Sequence, residues 1–178
     1  TVYSNFLPSV ISLGNKFGQS KLIYLALKEL RERGQLDQIK NRILDKEILD
    51  MEHSGISLGR RDQEEFNNIS ERLGELSTKF SNNVLDSTNK WFLILGEASQ
   101  TEGLPERVKE LMALAAKKHL NLPGDCNPTK GPWKLGLDAP TYSAFMTYSE
   151  NRSLREELYK AFVSRASNGE IDNNPIIE

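Results

Sequence analysis

The chain has 178 residues, of which 23 are Lys or Arg and 25 are Asp or Glu, for a net charge of −2. That balance excludes nucleic-acid binding driven by bulk positive charge and supplies no polybasic anchor for a membrane surface. With 38% hydrophobic residues the chain can bury a core, while its single Cys excludes an intramolecular disulfide framework and fits a reducing compartment.

Leu22, Ile23, Ala26, Leu27 and Leu30 recur at helical spacing and predict a helix over Gln19–Arg33, stopped by Gly34. Leu36, Ile39, Ile43 and Leu44 predict a second helix over Leu36–Met51. The short connector makes the two antiparallel. From Arg61 to Ile94 there is no Pro and Gly74 is the only Gly. Phe66, Ile69, Leu73, Leu76 and Phe80 follow 3-4-3-4 spacing, so one long helix with a buried stripe is expected. Asn82, Asn83, Asp86, Ser87 and Asn89 are poor residues for a coiled-coil seam, which favours burial among other helices.

Pro105 suits the first turn of a further helix carrying Val108, Leu111, Met112, Ala115 and Ala116 and ending near His119. Asn121–Pro132 reads as a loop. Trp133–Leu137 alternates and is the one strand predicted, with no legible partner within the chain. Asp138-Ala139-Pro140 opens a helix holding Tyr142, Phe145 and Met146. Asn151 opens another through Leu154, Leu158, Phe162 and Val163, and Ser153–Glu156 has the form of a capping box. The expected architecture is mostly α: one helical segment spanning residues 1–178, with one long helix and one short strand near residues 133–137. No apolar run approaches the length of a transmembrane helix; the longest, Trp91–Leu95, is ended by Gly96. No signal-peptide pattern or Met opens the chain and Ile176-Ile177 lies beside its last residue, so both ends are expected to be cuts within a longer polypeptide.

Motifs that carry chemistry are sparse. Gly55-Ile56-Ser57-Leu58-Gly59 matches G-x-S-x-G, but a nucleophile elbow needs a strand before it and a helix after it. Here the pattern falls between two helices and reads as a turn. His53 and His119 are the only histidines, and neither begins H-E-x-x-H. With Cys126 they are scattered over separate elements, so a zinc site built from this chain alone is not expected. Both histidines suit the negative end of a helix, and Cys126 lacks a His partner that would activate it. Asn68-Ile69-Ser70 and Asn151-Arg152-Ser153 match the glycosylation sequon by coincidence, lying in or at helices. Glu64, Glu65, Glu156 and Glu157 read as solvated faces paired with nearby Arg and Lys.

Four segments carry a resemblance. They are Phe66–Ile69 with Leu76–Asp86, Glu102–Pro105, Gly131–Tyr142, and Asn151–Tyr159 with Ser164–Ser167. Asn5–Pro8 and Gly18–Lys21 also fit. In this order the set resembles the oligopeptidase A branch of the thimet-oligopeptidase family, whose members occur in bacteria and in plant cytosol and organelles. The resemblance implies a mostly helical, two-lobed zinc metalloendopeptidase with a deep channel that admits short unfolded peptides, including cleaved targeting peptides. In such enzymes zinc is held by the two histidines of H-E-x-x-H and a downstream Glu. None of those positions falls within residues 1–178, so no catalytic or metal residue is assigned here, substrate-binding residues are unknown, and the chain itself is expected to bind no zinc. Its expected place is scaffold and channel wall in the N-terminal lobe. Expected partners are short peptides and the remainder of the peptidase chain, with no nucleic acid and no membrane. Its expected location is intracellular, in the cytosol or in a plastid or mitochondrion. The alternative is a non-catalytic truncated paralogue that binds a peptide or protein on the same helical scaffold. A part of a larger enzyme should expose a sizeable apolar patch; a self-sufficient binding module should not.

Overall fold

The computed structural model describes residues 2–34, 36–124 and 127–178. They form two compact units, residues 1–79 and residues 80–178. The first holds α1 (Val2–Gly18), α2 (Lys21–Glu32), α3 (Gln38–His53) and the start of α4 (Arg60–Lys90). The second holds the end of α4, β1 (Phe92–Leu95), a short 3-10 turn (Ala98–Thr101), α5 (Glu106–Leu120), β2 (Trp133–Gly136), α6 (Ala139–Tyr148), α7 (Arg152–Val163), β3 (Ser167–Asn168), β4 (Ile171–Asp172) and α8 (Asn174–Ile177). The mostly α class is as the sequence implies.

In the first unit, α2 and α3 lie antiparallel. Arg31 pairs with Asp45 at 2.6 Å and the Tyr24 hydroxyl donates to Glu52 at 2.6 Å. Moving seven residues back along α2 moves the partner seven residues on along α3. Asp37 caps α3 by accepting from the Lys40 amide at 2.8 Å. At its other end, the Ile56 amide donates to the Met51 carbonyl and the Gly55 amide to the Glu52 carbonyl, with Gly55 at φ +84°. This is a Schellman motif, and Ile56 and Met51 are both buried as its apolar contact requires.

α1 is an addition to the predicted elements. It holds Pro8 in its interior, which removes one backbone donor and disfavours a helix in any sequence reading. Leu7 and Ile11 face Gly74 of α4: a Cβ built on Gly74 would stand 2.3 Å from Ile11 Cδ1. Gln19 then ties the end of α1 to its neighbours. Its amide donates to the Ser54 carbonyl at 3.0 Å and exchanges hydrogen bonds with the Asn67 amide at 2.8 and 3.2 Å.

α4 departs from expectation in two ways. It ends at Lys90, and Phe92–Leu95 is a strand. β1 pairs antiparallel with β2, with Leu93 opposite Leu135 and Leu95 opposite Trp133. The partner that the sequence reading placed outside the chain is therefore inside it. A four-residue apolar run has no period that separates strand from helix, which is why it reads as the tail of α4. The second departure is burial. No residue of α4 is buried, and Ile69, Leu73 and Phe80 are exposed, Leu73 at 61%. The expected buried stripe is absent among the described residues.

The core of the second unit forms around β2. Trp133, Leu135 and Leu137 are spaced by two and all fall on the inner face, against Leu95, Leu104, Met112, Ala113, Phe145 and Leu158. The Trp133 indole donates to the Pro128 carbonyl at 3.0 Å, so its polar edge is satisfied within the core. Asp138 caps α6 through the Thr141 amide, and Asn151 caps α7 through the Leu154 amide, each at 3.0 Å. The cap of α7 is thus Asn151 rather than the Ser153 of the expected capping box. Gly103 has φ +81°, and a Cβ there would lie 2.1 Å from the Tyr148 carbonyl oxygen.

Two stability outcomes follow. In the 178-residue chain, Leu73→Asp shifts unfolding by no more than about 1 kcal/mol, whereas Leu135→Ala costs about 2–5 kcal/mol, read by denaturant titration. A large loss for Leu73→Asp would contradict the exposure of that stripe. Gly103→Ala costs more than about 2 kcal/mol, because backbone strain adds to a clash with a carbonyl that cannot move aside; an unchanged melting curve would contradict that geometry.

Candidate functional site

The residues singled out for chemistry do not converge. Gly55–Gly59 is the link from α3 to α4, with no strand before it; Ser57 is exposed on that turn. His53 is the last residue of α3 and is exposed. His119 lies in the last turn of α5, beside Lys117 and Lys118, where a basic residue meets the negative end of the helix dipole. Its ring packs edge-on against Phe92 at 4.3 Å, and Lys134 Nζ lies 3.4 Å from Nδ1. An ammonium beside an imidazole is no metal ligand set. Cys126 lies outside the described residues. Among the described residues, no group of three or more His, Cys, Asp or Glu side chains could hold a metal ion. The two histidines lie in different units, whereas a zinc site draws three or four such donors together.

Two cavities of the second unit show no catalytic set. One of about 130 Å³ is lined by Asn89, Trp91, Lys134 and Asp138 among others. Its one carboxylate is already committed to capping α6. Another of about 230 Å³ lies among Ala113, Lys117, Leu122, Pro123 and Pro132 and holds no acid–base pair. Titration is shifted at exposed groups. Hydrogen bonds from Arg31, Lys160 and Lys90 hold the carboxyls of Asp45, Glu156 and Glu170 below their ordinary range, and the Lys40 amide does the same for Asp37. The hydrogen bond to Glu52 raises Tyr24. These are surface pairs, without the burial that tunes a catalytic acid or base.

Within the second unit, several residues of the segments that carry the family resemblance take part in structural contacts. The side chain of Asn83 donates to that of Asn173 at 2.8 Å, and Asn173 donates to the Phe80 carbonyl at 3.1 Å. Ser87 accepts from the Ala166 amide at 3.1 Å, and Arg165 donates to Thr88 at 3.3 Å. The Arg165 guanidinium also lies 3.6 Å over the Phe162 ring, which stacks on Tyr142 at 3.7 Å. Arg155 donates to the Ser149 carbonyl beside the Asn151 cap, and the Glu150 amide donates to the Glu102 carbonyl at 3.1 Å, next to Gly103. Asn83, Gly103, Asp138, Asn151 and Arg165 thus serve pins, turns and caps of the second unit. Sequence reading missed the pinning of α4. Its only signal was a run of polar residues unsuited to a seam.

Comparison with known proteins agrees with this placement. Residues 1–87 match the family described as Neurolysin/Thimet oligopeptidase, N-terminal domain. The chain is 41% identical over 176 residues to "Probable cytosolic oligopeptidase A" of Arabidopsis thaliana, covering 96% of this chain and 24% of that protein. It is 40% identical to "Organellar oligopeptidase A, chloroplastic/mitochondrial" of the same plant, covering 96% and 22%. To "Oligopeptidase A" of Escherichia coli it is 34% identical over 184 residues, covering 99% and 26%. The chain spans about a quarter of the length of these relatives. No helix of the described residues is long and apolar enough to cross a membrane. The chain belongs to the thimet-oligopeptidase family, in its oligopeptidase A branch, and corresponds to the N-terminal part of those proteins.

Proposed function

We propose that these residues are the N-terminal scaffold and channel wall of an intracellular zinc metalloendopeptidase that hydrolyses short unfolded peptides, including cleaved targeting peptides. The observation that carries the reading is similarity to oligopeptidase A over nearly the whole chain, joined to structural contacts at family-like residues such as Asn83, Asn151 and Arg165. The exposed apolar faces support it as well, since a part of a larger enzyme leaves surface for the rest to cover. On this reading zinc and the groups that act with it belong to residues beyond 1–178. The relatives' printed names span cytosolic and organellar forms, so either compartment fits.

The test is peptidase assay of the full gene product on a short fluorogenic peptide. Cleavage that falls at least about 10-fold with a zinc chelator and returns with added zinc is the expected result. The 178-residue chain alone is expected to be inactive. A gene product no heavier than this chain would contradict the reading and favour the non-catalytic helical module. A heavier product whose activity is unmoved by chelation would contradict the zinc chemistry.

A further inference from the structure

α1 presents an apolar stripe to solvent. Tyr3, Phe6, Val10, Leu13 and Phe17 recur at 3-4-3-4 spacing and are 58–66% exposed. The adjoining arc, about 100° round the helix, is already used: Leu7 and Ile11 meet Gly74 of α4, and Gly18 meets Ser54. A helix with one face on a core and one in water normally carries charge on the wet face. α1 has 17 residues and a single charged one, Lys16. The apolar arc of α1 therefore runs on beyond the part that meets α4, while its polar residues Asn5, Ser9, Ser12 and Lys16 gather on the remaining side.

We infer that this stripe is the docking face for a helix of the longer peptidase chain lying outside residues 1–178. The inference rests on the proposed peptidase reading and deepens it by naming the interface. Three observations select this occupant. The 3-4-3-4 spacing is that of a seam which takes the side chains of a second helix. A membrane surface is disfavoured, because an interfacial helix carries basic residues along its polar face and α1 offers one lysine near its end. The relatives that match this chain are about four times its length, so most of the polypeptide lies outside these residues, and a segment of the same molecule meets the stripe at a far higher effective concentration than a second copy.

The experiment is hydroxyl-radical footprinting of the purified full gene product, native and urea-unfolded, with mass-spectrometric readout at Tyr3, Phe6, Leu13 and Phe17. Docking predicts oxidation at these side chains slowed by about 10-fold or more in the native protein, independent of protein concentration. Slowing of less than about 3-fold, in keeping with the exposure left by this chain's own packing, would overturn the inference. Protection lost on dilution would also overturn it, assigning the face to a second copy. The two readings fail separately. A long, active peptidase with an unprotected stripe removes the docking face alone, whereas a gene product no longer than this chain removes the peptidase reading and with it the proposed occupant.

Discussion

One buried amide ties the end of α4 to the C-terminal segment of the second unit. Asn173 is 3% exposed, accepts from Asn83, donates from its side chain to the Phe80 carbonyl, and donates its backbone N–H to the Ala166 carbonyl. Leaving such a group unpaired costs about 1–3 kcal/mol, so each partner must stay in place for the others to be satisfied. Ser87 and Thr88 extend the contact to Ala166 and Arg165 one helical turn further on. α4 has no fully buried residue. Its C-terminal end is held by matched donors and acceptors, which fix one register where a greasy face would tolerate several.

That constraint explains what could and could not be read from the residues alone. α2, α3 and α5 begin and end within two residues or so of their predicted limits, because stops such as Gly34 and starts such as Pro105 mark them locally. The strand at Trp133 was legible because its alternation is strict and its inner residues are all large. β1 was not, since Phe92-Leu93-Ile94-Leu95 is apolar at every position and follows a helix directly. α1 was not, since Pro8 in its interior argues against a helix there. The stripe through Leu73 was read correctly as one face and wrongly as buried. Periodicity says which side chains share a face; it does not say what covers them. The candidate site behaved likewise. The G-x-S-x-G pattern required a strand before it, and the structure supplies the end of α3 and a Schellman turn.

Two kinds of residue stand apart in this chain. Residues whose types invite chemistry, the histidines and the exposed carboxylates, stand apart in surface pairs or at helix ends. Residues whose types look ordinary, several Asn, a Gly and an Arg, hold the geometry. On the proposed reading, a peptidase wall would need the second kind: surfaces that keep their shape while the reacting groups are presented from elsewhere. The outward apolar faces of the first unit fit that proposal.

The most direct test of the central claim is a double-mutant cycle between Asn83 and Asn173, each changed to Ala, by denaturant unfolding. If paired amides hold α4 in place, the two substitutions are coupled by about 1 kcal/mol or more. If their effects simply add, within about 0.3 kcal/mol, the two side chains act independently and the polar pinning of α4 is contradicted.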